Sequence, residues 1–239
     1  MREVIIACDF KDRAGLDALL SELKEERPYL KIGMEMYYRY GYDLVKELKD
    51  KGYKIFLDLK LHDIPNTVEA AARVIASLKT DIMNVHAAGG KEMMKRAALA
   101  VKEISPSTKV IAVTQLTSTS PEMLKNELLI DVPMTETVRH YAQNAAAAGL
   151  DGVVCSALEA PVIKELGLIS VTPGIRFAGG SADDQKRVVT PEKARELGSD
   201  YIVMGRAITG AEDRLKAYRR AVSEFCLRKA GVKFGLTAP

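Results

Sequence analysis

The chain has 239 residues, 47% hydrophobic and 28% charged, and its 35 basic and 32 acidic side chains leave a net charge of +3. This is the composition of a folded protein with ample core; it offers no basic run or aromatic-interleaved basic patch, so nucleic acid is not expected as a partner. No apolar stretch nears the ~20 residues that span a bilayer, so no membrane partner is expected either.

The first nine residues lack the apolar run of a signal peptide. From there, short β-branched or apolar runs recur at residues 4–10, 30–36, 54–61, 81–87, 109–116, 152–156, 169–172 and 201–205. Segments with helical spacing lie between them. Residues 12–26 carry Leu16, Leu19, Leu20 and Leu23, residues 42–51 carry Leu44, Val45 and Leu48, and residues 67–78 carry Val68, Ala71, Ala72 and Ile75. Further helices are expected at 90–104, 121–129, 135–148, 159–166, 191–197 and 211–227. Alternating strands and helices predict a parallel sheet with helices outside it. Eight such units in a chain of this length match an α/β protein built as a single (β/α)8 TIM barrel over residues 1–239, with 228–239 as a C-terminal tail. An open doubly wound sheet also alternates, but a Gly-x-Gly-x-x-Gly turn after the first strand is missing. Cys8, Cys155 and Cys226 are widely spaced and lack metal-ligand spacing, which reads as free thiols in a reducing, cytoplasmic setting.

In such a barrel, function sits at the C-terminal ends of the strands. The first strand ends at Asp9, the second holds Lys31, and the third ends in Asp58, Lys60 and Asp63. The fourth gives Asn84 and His86, the fifth Thr114, Gln115 and Thr117, the seventh Thr172 and Arg176, and the eighth Gly205 and Arg206. Side chains alternate faces along a strand, so Asp58 and Lys60 share one face while Leu57, Leu59 and Leu61 take the other. Asp63 falls out of phase. Arg176 and Arg206, at adjacent strand ends, suit a phosphate, and the Gly/Ser-containing segment 177–184 reads as a lid. His62 and His86 are read as structural.

The stretch from Phe56 through Asp58-Leu59-Lys60-Leu61-His62-Asp63-Ile64-Pro65-Asn66-Thr67 resembles the active-site signature of the orotidine 5′-phosphate decarboxylase family. Asp9, Leu30-Lys31-Ile32-Gly33, Asn84-Val85-His86-Ala87, Thr114 to Ser118, Thr172-Pro173-Gly174-Ile175-Arg176, Gln185 and Gly205-Arg206 extend the resemblance along nearly the whole chain. The resemblance implies conversion of orotidine 5′-phosphate to UMP and CO2, without metal or organic cofactor, in pyrimidine biosynthesis. It implies Lys60 as proton donor to C6 of the pyrimidine and Asp58 beside the substrate carboxylate. Asp63 and Thr67 are implied to reach the site of a neighbouring subunit in a homodimer. Asp9 and Lys31 would bind ribose hydroxyls and Thr117 the base. Arg176, Gln185, Gly205 and Arg206 would hold the phosphate. Two alternatives stay open at this point. One is a Mg2+-dependent enzyme acting on a keto-sugar phosphate, which shares the Asp-x-Lys-x-x-Asp core but needs a carboxylate where Lys31 stands. The other is a nucleotide-binding module without catalysis.

Overall fold

The structure, a computed structural model, describes residues 2–179 and 189–226. The first half runs β1 (Glu3–Ala7), α1 (Arg13–Glu22), β2 (Tyr29–Gly33), α2 (Met34–Asp50), β3 (Ile55–Leu61), α3 (Pro65–Ala76), β4 (Ile82–His86) and α4 (Gly90–Ile104). The second half runs β5 (Lys109–Val113), α5 (Pro121–Asn126), α6 (Met134–Ala147), β6 (Gly152–Val154), α7 (Ala160–Glu165), β7 (Ile169–Thr172), α8 (Pro191–Leu197), β8 (Tyr201–Met204), α9 (Arg206–Thr209) and α10 (Arg214–Cys226). Every strand pairs in parallel with its sequence neighbours, and β8 returns to β1, which closes the expected (β/α)8 barrel. The expected tail at 228–239, and residues 180–184 of the expected lid, lie outside the described residues.

Local chemistry sets the ends of the elements. Asp12 caps α1, its carboxylate accepting from the Gly15 amide at 2.9 Å. Pro65 stands in the first turn of α3, where its missing N–H costs nothing and its ring stops the β3 run. Thr190 caps α8, and Gly198 ends it in the left-handed conformation at φ 90°.

Some boundaries differ from the sequence expectation: β1 ends at Ala7 rather than residue 10, β5 at Val113 rather than residue 116, and the largest difference is at α2. The second strand stops at Gly33, and helix begins at Met34 rather than near Tyr42. Met36 is buried while Tyr38 is exposed, so residues 34–40 are amphipathic, but five aromatic or Met side chains in that stretch read equally well as strand. Gly41 leaves helical geometry at φ 64° and breaks α2 into two pieces, which masked the period across it.

Two apolar layers hold the barrel. The larger lies between sheet and helices and includes Leu16, Leu30, Leu57, Val85 and Phe225. The smaller fills the barrel itself with Ile5, Ala7, Tyr29, Phe56, Ile82, Ile111, Val171, Tyr201 and Val203. Tyr29 and Tyr201 meet edge to face there, with centroids 6.2 Å apart. Because alternate residues point inward, each strand carries this filling into the next tier in steps of two. Ile5 and Ala7 lead to Asp9, Tyr29 to Lys31, Phe56 to Asp58, Ile82 to Asn84, and Val203 to Gly205. An apolar floor thus gives way to a charged rim on the same faces of the same strands.

Candidate active site

A cavity of about 560 Å³ opens above this floor. Ala7, Phe56, Val154 and Val203 line its base, and Asp9, Lys31, Asp58, Lys60, Thr117, Arg176, Gly205 and Arg206 line its walls. Eight of the eleven residues that the resemblance implies for the site therefore converge on one space. Asp63 and Thr67 do not. Asp63 is exposed, its carboxylate accepts from the Ile64 amide at 2.6 Å, and it borders a shallow hollow with His62, Ile64, Pro65, Ala88 and Gly89. Thr67 is exposed in the first turn of α3. Gln185 lies outside the described residues.

The charged wall is a continuous chain of ion pairs. Lys31 Nζ donates to Asp9 Oδ1 at 3.0 Å and stands 3.3 Å from Asp58 Oδ2. Lys60 Nζ donates to the other oxygen, Asp58 Oδ1, at 2.7 Å. One carboxylate is thus spanned by two ammonium groups. Burial alone would push the Asp58 carboxyl up, but Lys31, Lys60 and two hydrogen bonds outweigh it and hold Asp58 below the ordinary carboxylate range. Burial likewise works against the Lys31 ammonium, and Asp58 and Asp9 overcome it, so its pKa is raised. Lys31 occupies the middle of β2, aligned with Ala7 on one side and Phe56 on the other, so it belongs to the site rather than to the start of the strand. Gly33 makes room for it. A Cβ at that position would stand 3.0 Å from both Asp9 Oδ1 and Lys31 Nζ.

Lys60 reaches the cavity through an irregularity in the barrel. Between β3 and β4, Leu57 aligns with Met83 but Leu61 aligns with Val85, so β3 advances four residues against two on β4. An excess of two residues keeps the alternation in phase, which is why the simple period-two argument placed Asp58 and Lys60 on one face correctly. The slack is taken up at Lys60, whose φ is +51° inside a strand. For a residue with a Cβ that conformation costs roughly 1–2 kcal/mol. The bulge leaves the Lys60 amide without a ladder partner, and the Asn84 side chain supplies one. Asn84 Oδ1 accepts from Lys60 N at 2.8 Å, and Asn84 Nδ2 donates to Asp58 Oδ1 at 2.7 Å. Asn84 is 1% exposed. The sequence reading noted it among the strand ends and gave it no role. The signal was there, since an amide in an otherwise apolar strand, on the inward parity with Ile82, needs buried partners.

Across the cavity, the backbone bridges Ile175 to Val189, and Arg176 N donates to Val189 O at 3.1 Å, which ties together the two stems of the segment between β7 and α8. Arg176 Nη1 donates to Ile175 O at 3.0 Å, while its Nε is buried and has no hydrogen-bond partner among the described residues. Arg206 opens α9 directly after β8. His62 and His86 stack at 5.1 Å between centroids, 14° from parallel, outside the cavity lining. His86 Nδ1 accepts from the Ala88 amide at 3.3 Å and caps the turn at Ala87–Gly89. Burial, then the neighbouring His62 and Lys60, hold the His86 imidazole below its usual pKa. The thiols of Cys8 and Cys155 are buried, and burial pushes Cys8 up to about 12, as expected of an inert core thiol.

Residues 2–221 match the family model described as "Orotidine 5'-phosphate decarboxylase / HUMPS family". The chain belongs to the orotidine 5′-phosphate decarboxylase / HUMPS family. A relative from Bacillus cereus (strain Q1), named orotidine 5′-phosphate decarboxylase, is 50% identical over 225 residues, covering 91% of this chain and 94% of that protein. The crystal structure of orotidine 5′-phosphate decarboxylase from Lactobacillus acidophilus is 41% identical, with a TM-score of 0.85 over 95% of this chain and 100% of that one. A crystal structure of an uncharacterized conserved protein from Geobacillus kaustophilus is 45% identical, with a TM-score of 0.81 over 93% and 99% of the two chains. The cavity described above occupies the strand ends where barrels of this architecture carry their chemistry. No helix among the described residues is long and apolar enough to cross a membrane.

Proposed function

We infer that this chain decarboxylates orotidine 5′-phosphate to UMP and CO2, as its relatives' names state for them. The observation that carries the reading is the Lys60–Asp58–Lys31–Asp9 chain on one cavity wall, facing Arg176 and Arg206 on the other. Breaking the bond between C6 and the carboxylate carbon leaves an electron pair on C6. Nothing in the pyrimidine delocalises it well. Lys60 answers both needs at that point, as a cation where negative charge develops and as the proton source that converts C6 to C6–H. CO2 leaves, and Lys60 regains its proton from solvent. Asp58, held ionised between its two lysines, sits beside the substrate carboxylate. Asp9 and Lys31 take the ribose hydroxyls, Thr117 the base, and Arg176, Gln185, Gly205 and Arg206 the phosphate.

The reading needs no metal or organic cofactor. A divalent cation at Asp58 would meet the Lys31 and Lys60 ammonium groups, which also counts against the Mg2+-dependent keto-sugar phosphate alternative. Asp63 and Thr67 serve the cavity of a second copy in a homodimer. Their exposure beside Ile64, itself 65% exposed, supports that assignment. The decisive experiment incubates the protein with orotidine 5′-phosphate in the presence of EDTA and follows the loss of substrate absorbance. Turnover is expected, and its absence near neutral pH overturns the reading. Mixing inactive Asp58→Ala and Asp63→Ala variants should restore up to about a quarter of parental activity, because half of the sites in a mixed dimer are intact and half of the dimers are mixed. Mixed dimers that form and stay inactive overturn the shared site.

A further inference from the structure

We propose that Asn84 is a positioning residue for this reaction, its carboxamide clamping the Lys60 backbone in the left-handed conformation while orienting the Asp58 carboxylate. The proposal rests on the decarboxylase reading above and adds a residue that touches neither substrate nor reacting atom.

The geometry leaves Asn84 little alternative. At the bulge, one residue of β4 faces three of β3, from Asp58 to Lys60. A backbone ladder cannot serve them all. A primary amide can serve the Lys60 N–H and the Asp58 carboxylate together, because it carries an acceptor and a donor on one rigid plane. Its acceptor takes the Lys60 N–H, and its donor goes to Asp58 Oδ1, the same oxygen that receives the Lys60 ammonium. Both ends of Lys60, backbone and side chain, are thereby referred to one fixed group. A left-handed residue inside a strand persists only when its surroundings over-determine it. Asn84 is the side chain that does so here. An apolar residue of the same size would fill the space and leave the Lys60 N–H buried without a partner, free to relax toward extended backbone and carry the ammonium away from C6.

Substitution by aspartate gives a test with its own signature. Asn84→Asp places a second carboxyl against Asp58. Two adjacent carboxylates cannot both stay ionised easily, and Asp58 is the one spanned by ammonium groups, so residue 84 takes the proton. A protonated carboxyl has one donor and one acceptor and reproduces the amide's two bonds. The charged or titratable groups around this position are Asp58 and Lys60 on β3, Lys31 on β2, Asp9 beyond β1 and His86 further along β4. Across the cavity stand Arg176 and Arg206, and the β5 end contributes the non-titrating Gln115 and Thr117.

The experiment measures kcat and KM for orotidine 5′-phosphate in parent, Asn84→Ala and Asn84→Asp from pH 5 to 8. Amide hydrogen exchange at Lys60 is followed in the same proteins. Asn84→Ala should lose roughly 10- to 100-fold in kcat with KM within about threefold, and its deficit should not change with pH. Asn84→Asp should show a deficit that shrinks about tenfold or more as the pH falls and residue 84 protonates. The Lys60 amide should exchange at least about tenfold faster in Asn84→Ala. Parental kcat in Asn84→Ala, or a constant ratio of Asn84→Asp to parent across the pH range, overturns the proposal. If Asn84→Ala does not fold, the pH ratio of Asn84→Asp decides alone. An inactive parent sinks the decarboxylase reading instead, and Lys60 exchange unchanged by the substitution would then sink the clamp as well.

Discussion

Aspartates at the two ends of this barrel do opposite work. At the N-terminal end, Asp81, Asp151 and Asp200 stand just before β4, β6 and β8, and each accepts a backbone N–H from the preceding strand. Asp81 takes Ile55 N at 2.8 Å, Asp151 takes Val110 N at 2.7 Å, and Asp200 takes Ser170 N at 2.9 Å. These carboxylates seal strand ends that the ladder leaves open, and two of them also pair with an outer lysine, Lys49 or Lys102. At the C-terminal end, Asp9 and Asp58 seal no strand end. Their partners are the Lys31 and Lys60 ammonium groups, which line the cavity, and the buried Asn84 amide. One residue type thus satisfies backbone N–H groups at one end of the barrel and holds ammonium groups at the other. The same division appears on the two edges of β4. Toward β5 it makes five consecutive regular pairs from Ile82 to His86; toward β3 the register slips, and the site is built in the slip.

The comparison can be broken by experiment. Lys60→Ala should remove both the cation and the proton source, lowering kcat by roughly 10⁴-fold or more with the unfolding midpoint little changed. Substantial residual turnover would take the proton donor's role from Lys60. Arg206→Ala should weaken binding of UMP by about 10- to 100-fold and leave uridine within about threefold, since a charge-assisted contact to phosphate is lost. Equal weakening of both ligands would contradict the phosphate assignment. At the other end, Asp200→Ala strands the Ser170 N–H and should cost about 1–3 kcal/mol of stability, lowering Tm by roughly 3–10 °C. Its kcat should stay within about twofold of the parent. A large loss of turnover without loss of stability would erase the distinction between the two ends.

The smallest effect concerns acid. Asp58 titrates below its ordinary value of 3.8 in the folded chain. A carboxyl with a depressed folded pKa contributes stability that is complete above the unfolded value and is lost as pH falls through the folded one. The stability difference between parent and Asp58→Asn, from urea unfolding, should therefore be constant above about pH 5 and shift against the parent below 3.8. A difference that stays flat into acid would mean that the two lysines do not hold this carboxylate ionised.

By itself the sequence determined the barrel and most of the rim. Eight alternations of short apolar runs with helical spacing leave few architectures. Steps of two along each run carry Asp9, Lys31, Asp58 and Gly205 to the inward face, and both are local rules that need no knowledge of neighbours. Tertiary structure alone decided what depends on how one strand lies against another. That Lys31 contacts Asp58, that β3 outruns β4 by two residues, that Lys60 turns left-handed, and that Asn84 closes the gap are all properties of register between segments more than twenty residues apart in sequence. Register is fixed by the summed fit of the two apolar layers, and a single strand does not contain it. The start of α2 at Met34 was hidden for a related reason. Burial of Met36 against the barrel, rather than a clear period, makes that stretch helical. The Asp58–Lys60 pattern was therefore legible in the sequence as two charges on one face, while the backbone conformation that points the lysine into the cavity was settled only by the strand beside it.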